Sequence, residues 1–158
     1  MSNSDIRIEQ SRSNPDRIVG AVLRTLPEYF GFESAIVEYC ENARDKKYKT
    51  FVASIGKSQT VGFAMLVVNS ETTAELWVMA VLREFHGKGI GAKLVDAVET
   101  EARKKKCKYM LVKTVGPSQN DPNYFKTFNF YLKQGYELLM ECDFIWVGSF
   151  CAMLLKKL

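Results

Sequence analysis

The chain has 158 residues, of which 47% are hydrophobic, and a formal net charge of only +4. This length suffices for one well-buried core and is too short for two ordinary domains, so we expect a single domain over residues 1–158. Much of the basic excess lies in residues 103–106 and Lys108, at the predicted end of a helix, where cations complement the dipole and stay solvated. The charge therefore disfavours a nucleic-acid-binding protein.

No apolar stretch reaches the roughly 18 residues needed to span a bilayer, which predicts a soluble protein with no membrane partner. The four cysteines have no paired spacing of the zinc or redox type, and only one histidine is available as a nitrogen ligand, so we expect no metal site. Buried, reduced thiols are the favoured interpretation and indicate a cytoplasmic protein.

The first half of the chain predicts a strand, two helices and three further strands. Ile6 and Ile8 alternate with polar residues as in a short strand. Asn14 and Pro15 are typical of a helix start, and Pro27 interrupts that helix. The later predicted elements are a helix at 33–43 and strands at 48–55, 60–69 and 73–82, with a short hairpin loop at 56–59.

The second half predicts a crossover followed by a hairpin. A helix beginning near Gly89 lies between the strands at 73–82 and 109–115, which should therefore be parallel. A helix at 124–133 and strands at 136–143 and 150–155 complete a mixed α/β sheet. An exposed C-terminal strand would be able to pair across a two-fold axis in a homodimer, although nothing in the sequence demands one.

The segment between residue 83 and residue 91 is the most informative part of the sequence. Gly87, Gly89 and Gly91 lie at the start of a predicted helix, where backbone N–H groups can approach an anion without interference from Cβ atoms. The helix dipole adds partial positive charge, and His86 and Lys88 supply side-chain donors. This pattern predicts a phosphate-binding loop.

Two common phosphate-binding motifs do not fit this loop. A Walker loop requires Ser or Thr after its Gly-Lys pair, whereas Gly89 follows Gly87-Lys88. Gly87, Gly89 and Ala92 formally satisfy the dinucleotide-binding fingerprint. However, the next strand is followed by residues 113–115, Lys-Thr-Val, with no acidic ribose ligand, and no second mononucleotide-binding half follows.

Three segments in order resemble the GNAT family of acetyl-CoA-dependent N-acetyltransferases. His86, Gly89 and Gly91 fit both glycines of the Gln/Arg-x-x-Gly-x-Gly/Ala signature and depart from it at the first position. Residues 130–136 are similar to the Phe-Tyr-x-x-x-Gly-Phe segment, and residues 75–81 to the central strand. The resemblance covers about residues 48–140. It implies a mainly antiparallel twisted sheet, flanked by helices, whose central parallel strand pair splays around acetyl-CoA.

The resemblance implies how acetyl-CoA is held. The diphosphate would rest on backbone N–H groups of residues 87–92, and the pantetheine arm would pair with residues 79–81, where the Met79 N–H is a candidate oxyanion donor. Asn123 and Lys126 flank the final helix and have surface or turn roles as alternatives. The candidate cofactor-binding residues are Met79, Ala80, Val81, His86, Gly87, Lys88, Gly89, Ile90, Gly91, Ala92, Asn123, Lys126 and Phe130.

Tyr131 and Glu75 are the candidate catalytic residues. A neutral Tyr131 phenol can protonate a departing thiolate, the alternative being a packing role only. Glu75 precedes Met79 by four residues, so strand alternation places both on one face, where Glu75 would act as the base; otherwise it is a solvated surface group. His86 is better placed to donate to the diphosphate or cap the helix than to act in acid–base chemistry.

The expected activity is acetyl transfer to a primary amine of a small molecule or a peptide. No cysteine lies in a nucleophile motif, which favours direct attack in a ternary complex. The resemblance implies that the helices at about 15–45 contribute to the acceptor site, and Trp77 and Trp146 would line it or lie in the core. Glu141, Asp143 and Asp121 would attract a cationic amine or are simply surface groups. The alternative is a catalytically silent acyl-CoA-binding or regulatory module of the same fold.

Overall fold

A computed structural model describes residues 6–56 and 58–158 of the chain, and Lys57 of the predicted hairpin loop lies outside this description. One seven-stranded mixed sheet, in the order β1-β2-β3-β4-β5-β7-β6, carries helices on both faces. The strands are β1 (Ile6–Gln10), β2 (Tyr48–Ile55), β3 (Gln59–Val68), β4 (Thr73–Val81), β5 (Tyr109–Val115), β6 (Glu137–Trp146) and β7 (Ser149–Lys157). The helices are α1 (Pro15–Leu23), α2 (Glu33–Arg44), α3 (Ile90–Lys104) and α4 (Pro122–Lys133). The predicted elements and the mixed α/β fold are confirmed.

Local sequence explains where the helices begin. Pro15 and Pro122 occupy first-turn positions of α1 and α4, where a missing N–H costs no hydrogen bond. The Asp121 carboxylate accepts hydrogen bonds from the N–H groups of Asn123 and Tyr124 and so caps α4. Helix α3 instead begins after Gly89, with no side-chain cap.

The sheet separates two apolar cores. On one face, which we call the α3 face, residues such as Leu94 and Val98 of α3 pack with Leu76 and Val112 of the central strands, and α4 joins them. On the other, the α1–α2 face, α1 and α2 pack over β3 and β4. Of the helices described, none is both long and apolar enough to cross a membrane.

The central strands β4 and β5 are paired over only part of their length. Residues 73–76 pair in parallel with residues 109–112, and the ladder ends at the pair Leu76 and Val112. Beyond it, residues 77–81 and 113–115 are unpaired with each other and leave a gap, which we call the slot. The parallel, splayed pair that the resemblance implies is therefore confirmed.

A β-bulge lies at the point where this pairing ends. Met65 of β3 faces Val78, and Leu66 faces Leu76, so Trp77 is an extra residue in β4. Two consecutive residues thus occupy the place of one, and the alternation of side chains shifts by one position.

The bulge overturns the prediction that Glu75 and Met79 share a face. Met79 packs against the core of the α3 face, whereas Glu75 lies on the α1–α2 face, next to Trp77 and beside β3 residue Val67. The period-two count fails because the strand between the two residues is not regular.

The C-terminal strand is not exposed as predicted. Strand β7 pairs with β5 on one side and with β6 on the other, so it has no free edge for a second copy of the chain. The edge strand at this end of the sheet is β6, where Leu138, Leu139 and Met140 are exposed. The suggestion that β7 forms a homodimer interface is therefore wrong.

Candidate active site

A cavity of about 780 Å³ lies at the slot and is lined by residues from both faces of the sheet. On the α3 face it is bounded by the start of α3 and by α4, and on the α1–α2 face by residues of α2 and the loop before it. It brings together most of the predicted site residues: Glu75, Met79, Ala80, Val81, His86, Gly87, Gly89, Ile90, Gly91, Ala92, Lys126, Phe130 and Tyr131.

The first two glycines of the loop have the backbone that an anion site requires. Gly87 and Gly89 have φ angles of 72° and 77°, a left-handed conformation that other residues rarely adopt. A Cβ atom at either position would meet no atom within 4 Å, so the space over the loop is open. The N–H of Lys93 bonds to the Gly89 carbonyl, so the N–H groups before it have no partner within the helix. This arrangement suits a diphosphate.

Gly91 serves packing rather than access. A Cβ atom there would lie 3.1 Å from Cζ of Phe130, tighter than ordinary contact. The third glycine therefore allows α4 to approach the start of α3, where Phe130 lines the cavity.

His86 does not cap α3 as predicted. Its Nε2 lies 2.7 Å from the Val81 carbonyl oxygen. Because a carbonyl only accepts, Nε2 carries a proton and donates it to Val81. The imidazole thus ties the glycine loop to the end of β4, and the helix-cap interpretation is wrong.

Lys88 and Asn123 are the two cofactor candidates that do not line the cavity. The Lys88 ammonium lies 4.8 Å from the centre of the Phe85 ring, a cation–π contact. Asn123 donates its backbone N–H to the Asp121 carboxylate at 2.8 Å, which is the turn role. Lys126 and Phe130 of the same helix do line the cavity.

The backbone of β4 directs the N–H of Met79 into the slot. Leu82 donates its N–H to the Val61 carbonyl of β3. The backbone N–H and carbonyl groups of Leu82 therefore point toward β3, and those of Val81 point away from it. The His86 contact with the Val81 carbonyl agrees with this direction. Alternation then turns the N–H of Met79 toward the slot, where β5 no longer accepts it.

Tyr131 combines a packed ring with an available hydroxyl. Its ring centre lies 5.2 Å from that of Phe130 and 5.8 Å from that of Tyr136. Among the described residues no group hydrogen-bonds its hydroxyl, and the side chain lines the cavity. Burial raises the pKa of Tyr131, so the phenol stays protonated and can donate a proton.

Glu75 is buried and paired, so the alternative of a solvated surface group is wrong. Only 2% of the residue is exposed. Its Oε2 accepts a hydrogen bond from Asn69 Nδ2 at 2.6 Å, and its Oε1 lies 3.1 Å from Nζ of Lys113. That ammonium lies 5.3 Å from the centre of the Trp77 ring. Glu75, Trp77 and Lys113 thus form one cluster at the closed end of the slot, on the α1–α2 face.

Sequence reasoning did not find Lys113 as a site residue. Its only signal is a lysine within the otherwise uncharged strand β5. The segment at 15–45 does contribute to the cavity as implied, through the aromatic Tyr29, Phe30 and Tyr39 and the rim carboxylate Glu38. Trp77 and Trp146 also line it.

The three acidic residues suggested as attractants for a cationic amine do not line the cavity. Asp121 caps α4, and Glu141 accepts hydrogen bonds from the N–H and hydroxyl of Ser118. Asp143 is exposed on β6. Within the part of the chain that the structure describes, no three His, Cys, Asp or Glu side chains are grouped to hold a metal ion.

Comparisons with known proteins agree with this geometry. The model of the acetyltransferase (GNAT) family matches residues 16–136. A search of curated proteins finds no match.

Solved structures resemble the chain over nearly its whole length. A GNAT-family protein from Desulfovibrio desulfuricans is 17% identical with a TM-score of 0.81, covering 96% of this chain and 98% of that one. A GNAT acetyltransferase from Elizabethkingia anophelis with acetyl-CoA bound is 18% identical with a TM-score of 0.72, covering 98% and 99%. An aminoglycoside 6'-N-acetyltransferase complexed with coenzyme A is 18% identical with a TM-score of 0.75, covering 96% of each chain.

At these identities the solved structures show the fold, and the family follows from the family model, which matches well over half of the chain. The protein belongs to the GNAT family of acetyltransferases.

Proposed function

We propose that the protein transfers an acetyl group from acetyl-CoA to a primary amine, by direct attack within a ternary complex. The observation that carries the proposal is that one cavity is lined by the glycine loop, by Met79 and by Tyr131 at the slot. An acyl donor and an amine entering from opposite faces of the sheet would meet there.

The α3 face suits the donor. The open N–H groups at the start of α3 would hold the diphosphate, and the backbone of residues 79–81 would pair with the amides of the pantetheine arm as an added strand does. The Elizabethkingia anophelis neighbour, which has acetyl-CoA bound, supports this assignment. The bound thioester supplies an activated acyl group.

Two groups of the chain would assist transfer at the slot. The Met79 N–H would donate to the oxyanion that develops on the carbonyl, an interaction worth about 3 kcal/mol in comparable sites. Tyr131 would give its proton to the leaving thiolate, because burial keeps the phenol neutral.

Glu75 is the candidate base for the amine. Its carboxylate faces the cavity on the α1–α2 face, where an acceptor would enter, and Asn69 and Lys113 hold it in place. It would take the proton of the acceptor directly or through water.

The α1–α2 face suits an amine acceptor. Aromatic rings from Tyr29, Phe30, Tyr39 and Trp146 line this side, and aromatic faces attract alkylammonium groups. Glu38 adds a carboxylate at the rim. We propose an amine of a small molecule or a peptide as the acceptor, and the likeness to an aminoglycoside 6'-N-acetyltransferase supports the first of these.

The test is a panel of primary amines incubated with acetyl-CoA, with release of free thiol as the readout. We expect turnover with at least one amine, and a loss of about a hundredfold or more in kcat for Tyr131→Phe with unchanged affinity for coenzyme A. Tyr109→Phe, which removes an exposed hydroxyl elsewhere, should keep full activity.

Tight binding of acetyl-CoA without turnover on any amine would contradict the proposal and favour the silent binding module. Equal kcat values for Tyr131→Phe and wild type would refute the role of Tyr131 alone.

A further inference from the structure

Lys113 lines the cavity on the face from which the acceptor amine of the proposed reaction would enter. It is the first residue of β5 beyond the last pair with β4, so it borders the closed end of the slot. The preceding Val112 packs into the core of the α3 face, and alternation turns Lys113 to the α1–α2 face. Its contact with Glu75 on that face agrees with this direction.

The surroundings of the Lys113 ammonium are those that recognise an alkylammonium ion. Nζ has a buried carboxylate oxygen at 3.1 Å and an aromatic ring centre at 5.3 Å. A quarter of the side chain is still exposed. Lys113 and Glu75 line the same cavity as Met79 and Tyr131.

A second lysine shows what an ion pair with a purely structural role looks like in this chain. Lys156 Nζ lies 2.8 Å from Glu99, and 24% of the Lys156 side chain is exposed, against 25% for Lys113. Glu99 also accepts a hydrogen bond from Tyr136, and neither Glu99 nor Lys156 lines the cavity. The two lysines are equally exposed and each pairs with a buried glutamate, but only Lys113 lines the cavity at the slot.

We propose that Lys113 is itself an acceptor, and that the protein acetylates Nζ of its own Lys113. The inference rests on the proposed acetyl transfer at this site. Glu75 takes one proton from the ammonium, and the nitrogen lone pair forms a bond to the thioester carbonyl carbon. The carbon–sulfur bond breaks, Tyr131 protonates the leaving thiolate, and Tyr131 regains a proton from the new amide nitrogen. The products are an acetylated Lys113, the free thiol of coenzyme A and one proton on Glu75.

Acetylation would change the charge of the cavity. The modified Nζ keeps one N–H to donate to Glu75 but loses its positive charge. The carboxylate is then left without a cation, which favours a cationic acceptor at the same place.

The experiment incubates the full-length protein with acetyl-CoA and no added amine, and follows acetylation by intact mass and peptide mapping. We expect one acetyl group on Lys113 and none on Lys156. The rate per molecule should not depend on protein concentration, because the reaction is intramolecular. Glu75→Gln and Tyr131→Phe should each slow modification of Lys113 at least about tenfold, as expected for loss of an acid or base. Glu99→Gln should leave the rate unchanged.

An unmodified Lys113 in protein that calorimetry shows to bind acetyl-CoA would overturn the inference. So would equal acetylation of Lys113 in wild type and Tyr131→Phe, since this would be chemical acylation; that comparison carries the test if Glu75→Gln does not fold. Turnover on the amine panel without modification of Lys113 would refute self-acetylation and leave the proposed function intact. Failure to bind acetyl-CoA would refute both.

Discussion

The glycines at the start of α3 have two different functions. Gly87 and Gly89 adopt left-handed backbone under open space, whereas Gly91 lets the Phe130 ring approach the helix. The motif therefore combines an anion site with a packing contact that places α4 beside the slot. Substitution should separate the two effects.

We expect Gly89→Asp to abolish measurable binding of coenzyme A, because it places a negative charge where the diphosphate should lie. The smallest effect that fits this placement is a loss of about tenfold in affinity, which corresponds to about 1.4 kcal/mol. Isothermal calorimetry measures it.

Gly56→Asp is the matched control, since Gly56 also has a positive φ, with no atom within 4 Å of an added Cβ, and lies outside the cavity. Both variants should lose similar stability from backbone strain. Equal affinities in the two variants would refute the placement of the diphosphate.

At the residue scale, sequence predicted the groups that belong to a continuous motif. The loop glycines and Tyr131 lie in segments whose spacing carries information, and the structure places them on one cavity. Lys113 was not predicted as a site residue, because its position at the slot depends on where pairing with β4 stops. The burial of Glu75 likewise depends on Asn69 and Lys113, which are distant or unremarkable in the sequence.

At the scale of elements, α3 is fastened to the C-terminal hairpin by a buried polar cluster. Glu99 of α3 accepts hydrogen bonds from the Tyr136 hydroxyl at 3.0 Å and from Lys156 Nζ of β7 at 2.8 Å. Arg103 lies 3.4 Å from the same carboxylate. Such a cluster holds elements together only while every charge is compensated.

We expect Lys156→Met to lower the free energy of unfolding by about 2 kcal/mol, because it removes the charged hydrogen-bond donor closest to the buried Glu99 carboxylate while Arg103 remains. Adding Glu99→Gln should restore part of that loss, since the amide keeps a hydrogen bond from Tyr136 and has no charge. Urea denaturation of the single and double variants measures both effects. A double variant less stable than Lys156→Met would contradict this account.

Element boundaries were predictable because periodicity, proline and glycine mark them locally. The direction of side chains along β4 was not predictable, because a bulge depends on the register between two strands. Trp77 has no local feature that distinguishes it from a regular strand residue. The position of β7 inside the sheet is likewise a matter of strand order, which an alternating pattern does not encode.

At the scale of the whole molecule, buried phenols and thiols make the free energy of unfolding depend on pH in the alkaline range. Burial raises the pKa of Tyr124, Tyr131 and Tyr136 above the ordinary value of 10.0, and that of Cys151 from 9.0 to about 11. In the unfolded chain these groups ionise at their ordinary values. Their contribution to stability is therefore complete below about pH 9 and is lost as the pH rises from there toward the folded-state values.

We expect the free energy of unfolding to be steady near pH 8 and to fall above about pH 10, by about 1.4 kcal/mol per pH unit for each buried tyrosine. Urea denaturation across this range measures the slope. The decline should be shallower in Tyr131→Phe, which lacks one such group, than in the control Tyr109→Phe. Identical slopes in the two variants would contradict the assignment.

The bulge at Trp77 has a consequence for how the chain can change length. A bulged strand bends, and the bulge falls on the residue after the last pair between β4 and β5, so the irregularity of the sheet and the start of the slot coincide. We expect removal of one residue there to give β4 a regular ladder with β3 and to take away the bend at the start of the slot. We therefore expect homologous sequences to accept insertions at the turn around Gly148 and to keep the length of β4 unchanged.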